Sequence, residues 1–239
     1  MASSDTLQPM RRGLFISFEG IDGCGKSTQL NLMADLLRGR HIDLVATREP
    51  GSTPIGQEIR KILLDSKTTG LTPVAEVLLY YASRNQNVEQ VIKPALEAGR
   101  MVLCDRFHDA SWAYQGFGRQ LGVEYLRTLD DLVLDGFHPD HTIVIDIDVS
   151  TSISRAQSRN SNRAVDENRF ETEGRAFFER VLEGYRWLAR REPARFHVVD
   201  GNRSIEAIHQ DVVKLFEGWM TREEAISTKP QASNPMERN

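Results

Sequence analysis

Short, nearly continuous apolar runs alternate along this chain with stretches whose apolar positions recur every three or four residues. Residues 14–18, 101–105 and 142–147 are almost wholly apolar, the pattern of strands covered on both faces. Residues 42–46 and 196–199 are shorter runs of the same kind. Between them, residues 26–38, 53–64, 123–134, 151–159, 173–191 and 204–219 carry the spacing of amphipathic helices. Thr72-Pro73 opens a further helix, with proline at its first position, that is expected to run to Gly99. Regular strand–helix alternation predicts an α/β fold: a parallel five-stranded sheet with helices on both faces. Polar motifs follow three of the strands, at Glu19 to Ser27, Arg48 to Gly51 and Asp105-Arg106. Ligands in such sheets bind at the carboxyl ends of the strands.

Composition narrows the class. A chain of 239 residues with 40% hydrophobic content can bury one substantial core. No repeat or linker divides it, so residues 13–220 are expected to form a single domain, with residues 1–12 and 221–239 as polar, mobile tails. A net charge of −4 shows no basic excess, so a nucleic-acid surface is not predicted. No apolar run is long enough for a membrane span, and residues 1–12 lack the apolar core of an export signal. The two cysteines, Cys24 and Cys104, read as packed thiols of a reduced compartment. These features predict a cytoplasmic protein.

The candidate chemistry begins at Gly20-Ile21-Asp22-Gly23-Cys24-Gly25-Lys26-Ser27, a Gly-x-x-x-x-Gly-Lys-Ser sequence between a strand and the helix start Ser27-Thr28-Gln29-Leu30. In that setting backbone N–H groups and a helix N-terminus form a concave cradle for a polyphosphate. Gly20, Ile21, Asp22, Gly23, Cys24, Gly25, Lys26, Ser27 and Thr28 are therefore expected to bind the phosphates of a nucleoside triphosphate, which the resemblance described below makes ATP. The Lys26 ammonium would reach the outer phosphates, and the Ser27 hydroxyl would ligate Mg2+. Such a loop serves ATPases, GTPases and kinases alike, but the Asn-Lys-x-Asp guanine motif of GTPases is absent from the sequence.

Four motifs together are more specific. The stretch Phe18-Glu19-Gly20-Ile21-Asp22-Gly23-Cys24-Gly25-Lys26-Ser27-Thr28-Gln29 resembles the opening of thymidylate kinases. So do Arg48-Glu49-Pro50-Gly51, residues 78–86, and Asp105-Arg106-Phe107 followed by Ala113-Tyr114-Gln115-Gly116, in family order from about Gly13 to Met220. The resemblance implies a P-loop NTPase-type fold of the nucleoside monophosphate kinase kind. It also implies phosphoryl transfer from ATP, with Mg2+, to thymidine 5′-monophosphate (dTMP), giving ADP and the diphosphate. The rivals are a kinase for another monophosphate or a deoxynucleoside, and an ATP-binding module without catalysis.

Tyr80 and Arg84 share a helix face one turn apart, where a ring and a guanidinium can stack on a base and bond its edge. Read alone, they are better fitted by an ordinary core tyrosine beside a surface arginine; the resemblance implies that they hold the thymine. Asp105 and Arg106 can serve as a metal ligand and a phosphate clamp, or simply as an ion pair at a strand end. The resemblance assigns Arg106 to the acceptor phosphate, with Asp105 joining Ser27 at the metal. It also implies that Arg48 contacts that phosphate, that Tyr114 packs where a 2′-hydroxyl would sit, and that Ser111 and Gln115 address the base. By the same likeness Asp22 orients the acceptor's 3′-hydroxyl and the metal's waters.

Arg155, Arg159, Arg163 and Arg169 crowd a polar segment, residues 151–171, that alone reads as a flexible tip or simply a solvated face and that the resemblance makes a lid. Gly23 stands where some thymidylate kinases place an arginine, and those lacking it resemble a bacterial type that supplies arginines from this lid. Arg159, then Arg163, is the candidate for the transferring phosphate. Arg155, with the Asp200-Gly201-Asn202 turn, is the candidate for the adenine side. The resemblance further implies a homodimer. If the acceptor were a hydroxyl rather than a phosphate, Asp22 or Glu49 would be available as the base.

Overall fold

The structure is a computed structural model that describes residues 12–160 and 169–227. Five strands, β1 (Phe15–Glu19), β2 (Leu44–Arg48), β3 (Met101–Asp105), β4 (His141–Asp146) and β5 (Phe196–Asp200), form one sheet in the order β2-β3-β1-β4-β5. Every pairing is parallel. The central strand β1 is buried along its whole length, which is why its sequence shows no polar alternation. Its side chains nonetheless divide between two cores. Ile16 and Phe18 join Leu103, Ile145, Val181 and Val212 on one face, while Phe15 joins Val102, Cys104, Phe107 and Ile92 on the other. A strand turns successive side chains to opposite faces, so each face needs its own helical cover.

That cover comes from nine helices among the described residues. They are α1 (Lys26–Gly39), α2 (Pro54–Leu64), α3 (Pro73–Asn87), α4 (Lys93–Glu97), α5 (His108–Ser111), α6 (Val123–Val133), α7 (Val149–Asn160), α8 (Arg175–Arg191) and α9 (Ile205–Ser227). Thr53 and Thr72 cap α2 and α3, each side chain accepting from the N–H three residues on, with proline at the next position. Both cysteines are buried free thiols. No described helix is long and apolar enough to cross a membrane.

The strands fall where the hydrophobic pattern puts them, with shifts at the ends. β2 begins two residues later than expected because pairing starts at Leu44 opposite Met101, while the Asp43 carbonyl accepts from the Met101 N–H. The helix expected to run from Thr72 to Gly99 contains a π-helical turn, Val88–Ile92, before α4. Residues 108–118, to which the sequence gives no element, form α5 and a second π-helical turn, Trp112–Gly118. At the far end, α9 continues to Ser227, beyond the expected domain edge at Met220. Arg222, Glu223, Glu224 and Ala225 are good helix formers and extend it without an apolar stripe. The expected tails at 1–11 and 228–239 lie outside the described residues.

A buried polar knot fixes α5 to the sheet. Arg195 donates to both oxygens of Asp109, at 2.7 and 2.9 Å, and to Thr142 Oγ1 at 2.8 Å. Thr142 also bonds Asp109 and the Ser17 hydroxyl of β1. Burial alone would raise the Asp109 pKa, but the Arg195 cation overrides it and holds the carboxyl well below its usual range. Through this knot the start of α5, just after the β3 end, is held in register with β4 and β5.

Candidate active site

The carboxyl ends of β1, β2 and β3 converge on one cavity, lined by residues from Asp22 to Phe170. The loop leaving β1 turns back over the sheet at Gly20, whose φ is +133°. A Cβ there would lie 2.6 Å from the Ile145 carbonyl oxygen and 2.8 Å from Cys24 Sγ, so only glycine fits. Gly25, left-handed at φ +97°, then starts α1. Lys26 is buried in the loop, with Nζ 3.7 Å from Asp22 Oδ1. The Ser27 hydroxyl donates to the Asp105 carboxylate, bringing the two expected metal ligands together from the first turn of α1 and the end of β3. Among the described residues no group of three or more His, Cys, Asp or Glu could cage a metal. One hydroxyl and one carboxylate suit an oxygen-loving Mg2+ that keeps waters and takes its remaining ligands from phosphates.

Arg106 sits at the centre. Its backbone is left-handed, φ +70°, an uncommon state for a residue that carries a Cβ and a sign of local strain. The guanidinium donates to Asp22 Oδ1 at 2.9 Å, to the Tyr114 hydroxyl at 3.0 Å and to the Tyr185 hydroxyl at 3.2 Å. It also lies over the Tyr114 ring, 4.7 Å from its centroid. Burial opposes its charge, yet Tyr114, Asp22 and Tyr185 together hold its pKa well above the ordinary arginine value. Tyr114 is itself bonded to Asp22 and packed edge-on against Phe170.

Arg84 is fully buried on α3. Its Nε donates to Glu49 at 2.7 Å, and its Nη2 donates to the Phe107 carbonyl and the Ser111 hydroxyl. Asn87 donates to the other Glu49 oxygen. Glu49 is thus committed to holding Arg84, which removes it as a free base. The remaining nitrogen, Arg84 Nη1, is buried without a hydrogen-bond partner, and Arg84 lines the cavity. An orphaned guanidinium donor on a cavity-lining residue is suited to meet an acceptor. Tyr80 lines the same cavity, whereas its neighbour Tyr81 turns to the core and bonds Asp130.

The other expected residues divide. Arg48, Ser111 and Gln115 line the cavity. Arg155 lies apart from it and donates to the Gly201 carbonyl, joining the two segments proposed for adenine. Arg159 is in the last turn of α7, and Arg163 lies outside the described residues. Arg169 does not project to the phosphates; it pairs with Glu76 at 2.7 Å and donates to the Leu63 carbonyl, pinning the segment's end to α2 and α3.

Sequence reasoning missed several members. Glu19 ends β1, accepting from the Phe107 N–H at 2.6 Å and from the Tyr185 hydroxyl at 2.8 Å. Burial, with the nearby charge of Asp109, pushes its pKa up to about 7 against the pull of Arg106. A glutamate closing an apolar strand at a glycine-rich loop was the available signal. Arg60, Leu64 and Phe170 also line the cavity, from segments too distant to connect by pattern.

The family profile described as thymidylate kinase matches residues 18–212. The chain belongs to the thymidylate kinase family. A thymidylate kinase of Desulfovibrio desulfuricans is 44% identical over 211 residues, spanning 87% of this chain and 97% of that protein. One from Trichlorobacter lovleyi is 49% identical over 188 residues, 78% of this chain and 89% of the other. The crystal structure of the Ehrlichia chaffeensis thymidylate kinase superposes with a TM-score of 0.69 at 34% identity, covering 86% of this chain and 99% of that one. The parallel P-loop kinase fold inferred from the strand pattern is the fold of this family, whose members are ATP-dependent nucleoside monophosphate kinases.

Proposed function

We propose that this chain transfers the terminal phosphoryl group of MgATP to thymidine 5′-monophosphate, yielding ADP and thymidine diphosphate. The observation that carries the reading is a single cavity lined at once by the phosphate-loop residues Lys26 and Ser27, by Arg106, and by Arg84 with its unpartnered donor. Two anions must be brought together there, and positive charge aligned between them lowers the barrier. The acceptor phosphate is already largely dianionic near neutral pH, so no general base is required. That agrees with the commitment of Glu49 to Arg84 and of Asp22 to Arg106. Lys26 and Arg106 stabilise the transferring group, Arg48 contacts the acceptor phosphate, and Arg84 and Tyr80 hold the base. Tyr114, braced by Asp22 and Arg106, fills the space beside the sugar where a ribose 2′-hydroxyl would project. Mg2+, when bound with ATP, neutralises phosphate charge; Ser27 and, through water, Asp105 would hold it. The donor-side arginine is Arg159 or Arg163, with Arg155 toward adenine.

We also propose a homodimer. Ile55 and Ile62 of α2, Val74 and Leu78 of α3, and Leu132 and Tyr125 of α6 are exposed on helices that pack side by side. Leu132 is 79% exposed, and so large an apolar surface on adjacent helices suits a second copy of this chain.

The reaction is tested by ADP release across nucleoside monophosphates and nucleosides. Thymidylate should give the highest kcat/KM. A higher value for a nucleoside or another monophosphate, or ATP binding without transfer to any of them, would overturn the assignment.

A further inference from the structure

Glu76 of α3 is 1% exposed, yet four hydrogen bonds converge on its carboxylate. Gln115 Nε2 donates to Oε1 at 2.8 Å. Arg119 donates from Nε and Nη2, each at 3.2 Å, and Arg169 Nη2 donates to Oε2 at 2.7 Å. These partners come from the π-helical turn with the residue that follows it, and from the 3-10 turn Arg169–Thr172, so one carboxylate ties α3 to two separate segments at the cavity wall. The guanidinium groups of Arg119 and Arg169 also lie over the Phe170 ring, at 5.4 and 4.6 Å, and Phe170 lines the cavity against Tyr114.

A carboxylate facing two guanidinium groups only accepts hydrogen bonds, so Gln115 must turn its amide nitrogen to it. The amide carbonyl is then the end that Gln115 offers to the cavity it lines. The same wall carries the unpartnered donor of Arg84. One donor and one acceptor complement a base edge that sets a carbonyl next to a ring N–H, as thymine and uracil do. Cytosine presents the reverse, an amino group next to an unprotonated ring nitrogen.

Resting on the acceptor assigned above, we propose that Glu76 is a positioning residue that selects the base by fixing the orientation of the Gln115 amide. It does not touch the base. It determines which end of Gln115 does.

The test is Glu76→Gln, which keeps the shape but can donate to Gln115 and so lets that amide turn over. The ratio of kcat/KM for thymidylate to that for deoxycytidylate should fall at least about tenfold, the scale of one well-formed base contact. The KM for ATP should not change. In a Gln115→Ala background the ratio should already be low, and Glu76→Gln should lower it no further. A folded Glu76→Gln protein that keeps its preference, or an equal drop in both backgrounds, would overturn the positioning role. If that variant does not fold, the side-chain amide protons of Gln115 in the wild-type protein decide. They should keep the shift of a carboxylate-bonded amide when thymidylate binds, and loss of that shift would overturn the proposal. Wild-type turnover of thymidylate checks the underlying reading separately: its absence would sink both, whereas a retained preference in the variant sinks only the role of Glu76.

Discussion

Tyr185 donates its hydroxyl to Glu19 Oε2 at 2.8 Å, and the same hydroxyl receives a hydrogen bond from Arg106 at 3.2 Å. A tyrosine of α8 thus bridges the strand that enters the phosphate loop and the cation at the centre of the cavity. Removing any one of the three changes the environment of the other two.

The protonation of Glu19 gives this bridge a pH signature. Burial pushes its pKa from 4.5 to about 7, so between those values the native state holds a proton that the unfolded chain has released. The stability contributed by this group is complete below about pH 4.5 and is lost as pH rises through about 7. Thermal melts of the wild type and Glu19→Gln from pH 5 to 8 should show the wild type losing Tm relative to the variant as pH rises. Parallel curves would contradict the assignment.

The Asp109–Arg195 pair behaves in the opposite sense. Its carboxyl is held well below the usual range, so its stabilisation is present at neutral pH and lost in acid. Arg195→Ala leaves a buried carboxylate without its cation, a change that costs about 3–5 kcal/mol. Urea unfolding at pH 7 should show a loss of that size, shrinking as the pH is lowered toward 3.

Arg84→Ala should raise the KM for thymidylate by about a hundredfold or more, the range for a buried donor withdrawn from its acceptor. The KM for ATP should stay within about twofold, because the hydrogen-bond partners of Arg84 are Glu49, Ser111 and the Phe107 carbonyl, none of them in the phosphate loop. Steady-state kinetics with each nucleotide varied in turn separates the two. Equal losses for both would place the base elsewhere.

Leu132→Asp puts a charge on the most exposed of the apolar side chains on α2, α3 and α6. Sedimentation of the wild type should give twice the mass of the chain, and the variant should sediment as a monomer. A monomeric wild type would remove the dimer.

Much of this was legible in the chain, for identifiable reasons. β3 was read to the residue because Met101 to Asp105 is apolar up to the functional carboxylate. The phosphate loop was legible because its glycines and Lys26 are contiguous. Residues 108–118 gave no readable element because a π-helical turn breaks the 3.6-residue period and mixes Trp112, Tyr114 and Phe117 with Gly116 and Gly118. Arg84 was singled out, but its fixing by Glu49 was not, since two residues 35 positions apart carry no trace of the pairing in the sequence. Glu76 was invisible for the same reason: its partners lie 39, 43 and 93 residues away.

The left-handed backbone at Arg106 leaves that position with two incompatible optima. Glycine or asparagine would relax the main chain and make the protein sturdier there. Either would also discard a guanidinium that three side chains are arranged to receive. Selection for robustness alone should therefore drift toward inactive proteins at this one site, and a thermostable variant altered at position 106 would be a warning about catalysis rather than a success.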